Sequence, residues 1–196
     1  MTHPLWFDAV SDTSIRQGDI FFDLTVPVAG HSADTFPIAK DQDAGWPISV
    51  IEGDWVVFSA SCDLEAGRSV EYPIIGRLFS VSDLIDEADR SQRARQKAEV
   101  LRRGLVPSKH LFADVETEGL VLQKRFADYR QHVCVPYKYL QSACAAGPRL
   151  RLKSPHREAF GNWVGNNFSR VGIEDQEQIP TDNAGVSEGL IAELNN

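Results

Sequence analysis

The sequence predicts an α+β fold with a β-rich front half and a helical back half. Short apolar runs broken by Gly, Pro and Asp fill the stretch before residue 80. A charged segment with helix end signals spans Ser82 to Gly104, and an aromatic stripe at helical spacing follows Ser154. With 42% apolar and 24% charged residues among 196, the chain has enough apolar surface for one core. Residues 1–173 are therefore read as a single domain, and 174–196 as an acidic C-terminal tail with a short helix.

Taken in order, Ile15 to Leu24 (IRQGDIFFDL) is the first expected strand, because Gly18-Asp19 turns the chain into apolar β-formers. Val28 to Gly45 has no period and reads as a long loop. Two β-runs follow, Ile48 to Ile51 and Trp55 to Ser59, joined by a hairpin-type connection at Glu52-Gly53-Asp54. The second run is almost wholly apolar and belongs at the centre of a sheet. Val70 to Phe79 is a further strand, bent or placed at an edge by Pro73, which has no N–H for a ladder.

Ser82 or Asp83 caps the helix that comes next, with acids in its first turn and Arg102 and Arg103 at its end. Strands over Lys109 to Val115, Leu120 to Ala127 and His132 to Val135 precede a short helix over Tyr137 to Ala145. The last helix runs from Ser154 to Val171, with Ser154 as cap, Pro155 as first helical residue and Gly172 as stop. Phe160, Trp163, Val164, Phe168 and Val171 recur every three or four residues as its core-facing stripe.

A formal charge of −8 argues against nucleic-acid binding by the whole surface. The charge is polarised, however: Arg90 to Arg103 holds six basic residues against Glu99, whereas six acids and no Lys or Arg follow Gly172. No apolar run approaches the roughly 18 residues of a bilayer span, and MTHPLWFDAV lacks the basic start of a signal peptide, so a cytoplasmic location is expected. Cys62, Cys134 and Cys144 are widely spaced without a CxxC pair and read as reduced thiols. Neither metal-ligand spacing nor a phosphate or dinucleotide loop is present, and no metal and no cofactor is expected.

Four candidate sites emerge. Ser59-Ala60-Ser61-Cys62-Asp63 closes an apolar strand with hydroxyls, a thiol and a carboxylate, and an adjacent base would make Cys62 a nucleophile. The plainer reading is a small buried thiol beside a capped turn. Arg93 and Lys97 on the basic helix are candidate phosphate contacts, or else a solvated face. In Arg16-Gln17-Gly18-Asp19, Asp19 either accepts hydrogen bonds from a ligand or ties its own turn. Asn162, Asn166, Asn167 and Arg170 run beside the aromatic stripe as a polar recognition ridge, or serve helix-to-strand hydrogen bonds.

R-Q-G-D-I-F-F-D-L and W-V-V-F-S-A-S-C-D resemble the opening of the SH3-like barrel toxins of the MazF and PemK kind, over about the first 80 residues. The resemblance implies an SH3-like, partly open β-barrel with an inserted helix and a C-terminal packing helix. Asp54-Trp55 replaces the arginine and proline that precede the family's second strand, so its ribonuclease site is not carried over by position. The chain is also similar to uncharacterised bacterial proteins sharing G-D-I, S-x-x-C-D and R-V-G, here Gly18 to Ile20, Ser59 to Asp63 and Arg170 to Gly172.

The leading expectation is a non-enzymatic accessory subunit of a bacterial multi-component system, of the defence or toxin–antitoxin type, acting through a protein partner or another copy of itself. The alternative is a MazF-like endoribonuclease in which Ser61, Cys62, Asp63 and Arg77 carry the chemistry, Arg77 stabilising developing phosphate charge. A third reading is a nucleic-acid-binding subunit using the Arg90 to Arg103 helix.

Overall fold

The computed structural model describes residues 6–29, 48–65, 70–84, 96, 99–101 and 103–169. Arg93, Lys97, Arg170 and the acidic tail lie outside the described residues, as do most of the expected loop before Ile48 and most of the helix expected after Ser82.

The fold is α+β. In chain order the elements are β1 (Phe7–Val10), β2 (Asp19–Ala29), β3 (Ile48–Val57), α1 (Ser61–Leu64), β4 (Ile74–Ser80) and a 3-10 turn (Val81–Leu84). Then come β5 (Lys109–Phe112), β6 (Val115–Thr117), β7 (Leu120–Leu122), β8 (Arg125–Cys134), α2 (Tyr137–Ala146), β9 (Arg149–Leu152) and α3 (His156–Phe168). Seven strands form one sheet in the order β1-β9-β2-β3-β4-β8-β5, and β6 and β7 pair as a separate ribbon. All of these pairings are antiparallel.

Side chains alternate across this sheet, and two cores follow from the alternation. Ile20 and Val56 point into one cluster with Leu78, Ala127, Leu150, Leu152 and the α3 residues Phe160 and Val164. Their neighbours Phe21 and Val57 point into the other, with Ile75, Val135 and the α2 residues Leu140 and Cys144. Each face of the sheet thus buries one helix stripe. Phe7 on β1 and Phe112 on β5 lie 6.4 Å apart between ring centroids. The two edge strands therefore approach through side chains, and the sheet curls over α3 while remaining open, since no ladder joins β1 to β5 among the described residues.

Several elements differ from the sequence reading. Glu52-Gly53-Asp54 does not turn but continues β3, because Glu52 and Gly53 pair with Thr25 and Leu24 of β2. The irregularity sits opposite, as a bulge in β2 between Phe21 and Leu24. β8 is one strand where two runs were expected. β1 and β9 were not anticipated: β9 is RLRL, and both of its faces are buried, Leu150 and Leu152 in the core and Arg149 and Arg151 among carboxylates. The C-terminal helix begins at His156 with Pro155 at the cap position, and Ser154 does not cap it.

Candidate functional site

The ladder between β3 and β4 ends in a knot of polar contacts. The Phe58 and Ser59 N–H groups both donate to the Ile74 carbonyl (2.9 and 3.3 Å), while the Ile74 N–H donates to Ser59 Oγ at 2.9 Å. Ser59 thereby closes the strand and frees the chain to enter α1. The Arg16-Gln17-Gly18-Asp19 turn packs on this end. Its Asp19 N–H donates to the Arg16 carbonyl at 3.0 Å, with Gly18 at φ 82°, the left-handed position that a type II turn reserves for glycine. Gln17 is bound twice to the strand end, its N–H donating to Ser61 Oγ at 3.1 Å and its Nε2 to the Phe58 carbonyl at 2.7 Å.

Across from Gln17 lies α3, and the space between them is an open groove of about 410 Å³. Gly161 and Gly165, one helical turn apart, form part of its lining, with Glu158 and Asn162 from α3 and Ala60 from the strand end. A Cβ at 161 would meet Gln17 Oε1 at 2.7 Å, whereas one at 165 would meet nothing within 4 Å. Gln17 was not singled out from the sequence, because only its turn neighbours carried a signal.

Cys62 is exposed, and its Sγ lies 3.5 Å from Asp63 Oδ1, its one hydrogen-bond partner among the described residues. Arg77 is not brought to it. The ladder places Arg77 beside Trp55, three residues along β4 from the Ile74 that holds the strand end, which is about 10 Å of strand. Its guanidinium sits over the Phe79 ring at 5.2 Å, on the sheet face opposite Gly76. Ser61, Cys62 and Asp63 thus share one turn of α1 without a cation or imidazole hydrogen-bonded to any of them among the described residues.

The described histidines belong instead to an aromatic cluster under α3. His110 lies 5.0, 5.1 and 5.3 Å from the rings of Phe112, Phe160 and Trp163. His156 stacks on Trp6 at 3.9 Å, and His132 packs against Phe168 at 5.3 Å while its Nδ1 donates to the Tyr129 carbonyl. Burial, with a smaller contribution from the nearby His156 charge, pushes the His110 pKa down from 6.5 to about 4. The unfolded chain then binds a proton that the fold does not. Stability due to His110 is complete above pH 6.5 and is lost as pH falls towards 4, by on the order of 3 kcal/mol. Asp12 and Asp128 act in a lower window: burial opposes their ionisation, but hydrogen bonds from Ser14, Arg151 and Arg149 to Asp12, and from Arg130 and Lys109 to Asp128, outweigh it. With Asp128 held at about 2, their contribution fades only below the ordinary carboxylate range. Urea unfolding at stepped pH is expected to show a loss between pH 6.5 and 4 that His110→Phe removes.

Asp19 is wholly buried, where it accepts Nε–H from Arg149 at 2.8 Å and from Arg151 at 2.7 Å. Asp12 closes the network from the surface, accepting from Arg149 Nη2 at 2.9 Å and Arg151 Nη1 at 2.9 Å. The carbonyl of Ser14 accepts from both guanidinium groups. Two Arg and two Asp balance, so the network pins three segments of the chain together, and the buried Asp19 within it has no open side for a ligand.

On α3, Asn162 and Asn166 are exposed one turn apart, as a recognition ridge requires. Asn167 is buried and donates to the carbonyls of Pro107 (3.0 Å) and Trp163 (2.9 Å); Trp163 Nε1 donates to the same Pro107 carbonyl at 2.8 Å. It fixes the helix to the chain before β5. No described helix is long and apolar enough to cross a membrane, and the described residues hold no group of three His, Cys, Asp or Glu placed to bind a metal ion. Neither a protein-family model nor a curated protein sequence matches the chain.

Proposed function

We propose that the chain is a non-enzymatic binding module, a cytoplasmic accessory subunit of a bacterial multi-component system that works through protein–protein contacts. The groove between Gln17 and α3 is the contact site, with Asn162 and Asn166 on the exposed ridge beside it. The observation that carries this reading is the pairing of that open groove with a strand end whose thiol is hydrogen-bonded to Asp63 and to no base among the described residues. Concave surface lined by amide, carboxylate and glycine backbone suits a partner's side chains, whereas nucleophilic catalysis needs a base in reach of the nucleophile. The curled, open sheet with Phe7 facing Phe112 supports the reading of a partly open SH3-like barrel.

The ribonuclease reading has less support, because Arg77 lies three residues along β4 from the Ile74 that holds the strand end, and its guanidinium sits over Phe79. Incubating the purified protein with mixed RNA separates the two. Intact RNA is the expected result; cleavage that disappears in Cys62→Ala or Arg77→Ala would overturn the proposal.

A further inference from the structure

At the bulge in β2, Asp23 adopts a left-handed φ of 48°. Non-glycine residues avoid this conformation, Asp and Asn least of all. The bulge presents the exposed Asp23 to a cleft of about 470 Å³ enclosed by β2, the start of β7 and the last turn of α2. Phe22, Leu24, Leu120, Ala143 and Pro148 give this cleft apolar walls.

Of its polar side chains, Asp23, Ser142 and Tyr139 offer acceptors, and Thr25 adds a hydroxyl that can donate or accept. Asp23 is the charged residue in the lining. Ser142 spends its proton on the Lys138 carbonyl at 3.0 Å, and the Tyr139 hydroxyl spends its own on the Thr25 carbonyl, so both offer only lone pairs. α2 ends here without a basic residue in its last turn, and Gly147 after it is extended at φ 178° instead of left-handed. Pro148 has no N–H to donate. The carbonyls of that last turn therefore keep the partial negative charge of a helix C-terminus. Arg149, which lies over the Phe21 ring at 5.7 Å, has its own charge matched by Asp12 and Asp19.

The geometry points to a binding cleft for a small organic ammonium ion, with the protonated amine between Asp23 and the end of α2 and the apolar body against Phe22, Leu24 and Leu120. An anion would be repelled by Asp23 and by the carbonyl end of α2, and a neutral alcohol would gain the walls without the charge. This site is separate from the groove beside Gln17, and its test is independent of that one.

Calorimetric titration of the full chain with hexylammonium, hexanol and hexanoate tests it. Hexylammonium is expected to bind more tightly than hexanol, and hexanoate not to bind. Asp23→Asn, which tolerates the same φ and keeps the thermal midpoint, is expected to weaken hexylammonium about tenfold and leave hexanol unchanged. Ala146→Leu, at an exposed position of the last turn, is expected to weaken both. Equal binding of hexanoate and hexylammonium, an Asp23→Asn protein that binds hexylammonium as the parent does, or no binding of any probe would each overturn the inference.

Discussion

Asp19→Ala is expected to destabilise the protein by about 3–5 kcal/mol, the cost of leaving buried guanidinium groups without their carboxylate. Arg149 is 1% exposed, and Asp19 is the fully buried carboxylate that meets both it and Arg151. Against a typical domain stability of about 5–15 kcal/mol, the variant would be marginal. Asp12→Ala removes the half-exposed partner and is expected to cost much less, since water replaces what it supplied. Urea unfolding of the two variants ranks them. A triple variant, Asp19→Ala with Arg149→Leu and Arg151→Leu, should recover much of the loss, because it removes the stranded charges along with their partner. A loss below about 1 kcal/mol for Asp19→Ala would mean that the network relaxes into water.

Gly76→Ala is the second large effect. A Cβ at this position would fall under 3.0 Å from three atoms of the Phe58 ring. That ring is in edge contact with Phe160 and Trp163, both at 5.8 Å, and tilted against His132 at 6.4 Å, so it is restrained on three sides. Overpacking of this kind costs about 1–3 kcal/mol or more, and the upper end is expected here. Phe58→Leu in the Gly76→Ala background should restore part of the stability, and the coupling between the two substitutions is readable as a double-mutant cycle. Additive losses would show that the ring moves aside after all.

What was legible in the sequence was whatever obeys one rule at a time. The aromatic stripe of α3 reads correctly because Phe160, Trp163, Val164 and Phe168 pack together on one face. The R-Q-G-D turn reads correctly because only glycine suits φ 82° at Gly18. β9 was illegible because Arg149 and Arg151 are buried charges, and only carboxylates more than 120 residues away make that burial tolerable. β3 is continuous where the sequence suggests a break, because the turn chemistry of Glu52-Gly53-Asp54 is overridden by tertiary pairing with the bulged β2. Of the candidate site, the strand end from Ser59 to Asp63 was visible as a run of polar side chains. Its partner was not: the groove exists because Gly161 and Gly165 carry no side chain, and an absence of side chain on a helix gives no pattern until Gln17 is placed against it.

Gly165 also supplies the most direct test of the groove as a contact site, because a Cβ there meets nothing within 4 Å and the residue lines the groove. Gly165→Ala sets the baseline, with a gain of up to about 1 kcal/mol from helix propensity. The decisive measurement is native mass spectrometry of complexes purified from the organism that encodes the chain, comparing the parent chain with Gly165→Trp, placed to fill the groove. The account predicts a defined complex for the parent and for Gly165→Ala, and the free chain for a folded Gly165→Trp. The same complex persisting in Gly165→Trp, or a parent chain that is always free, would contradict it.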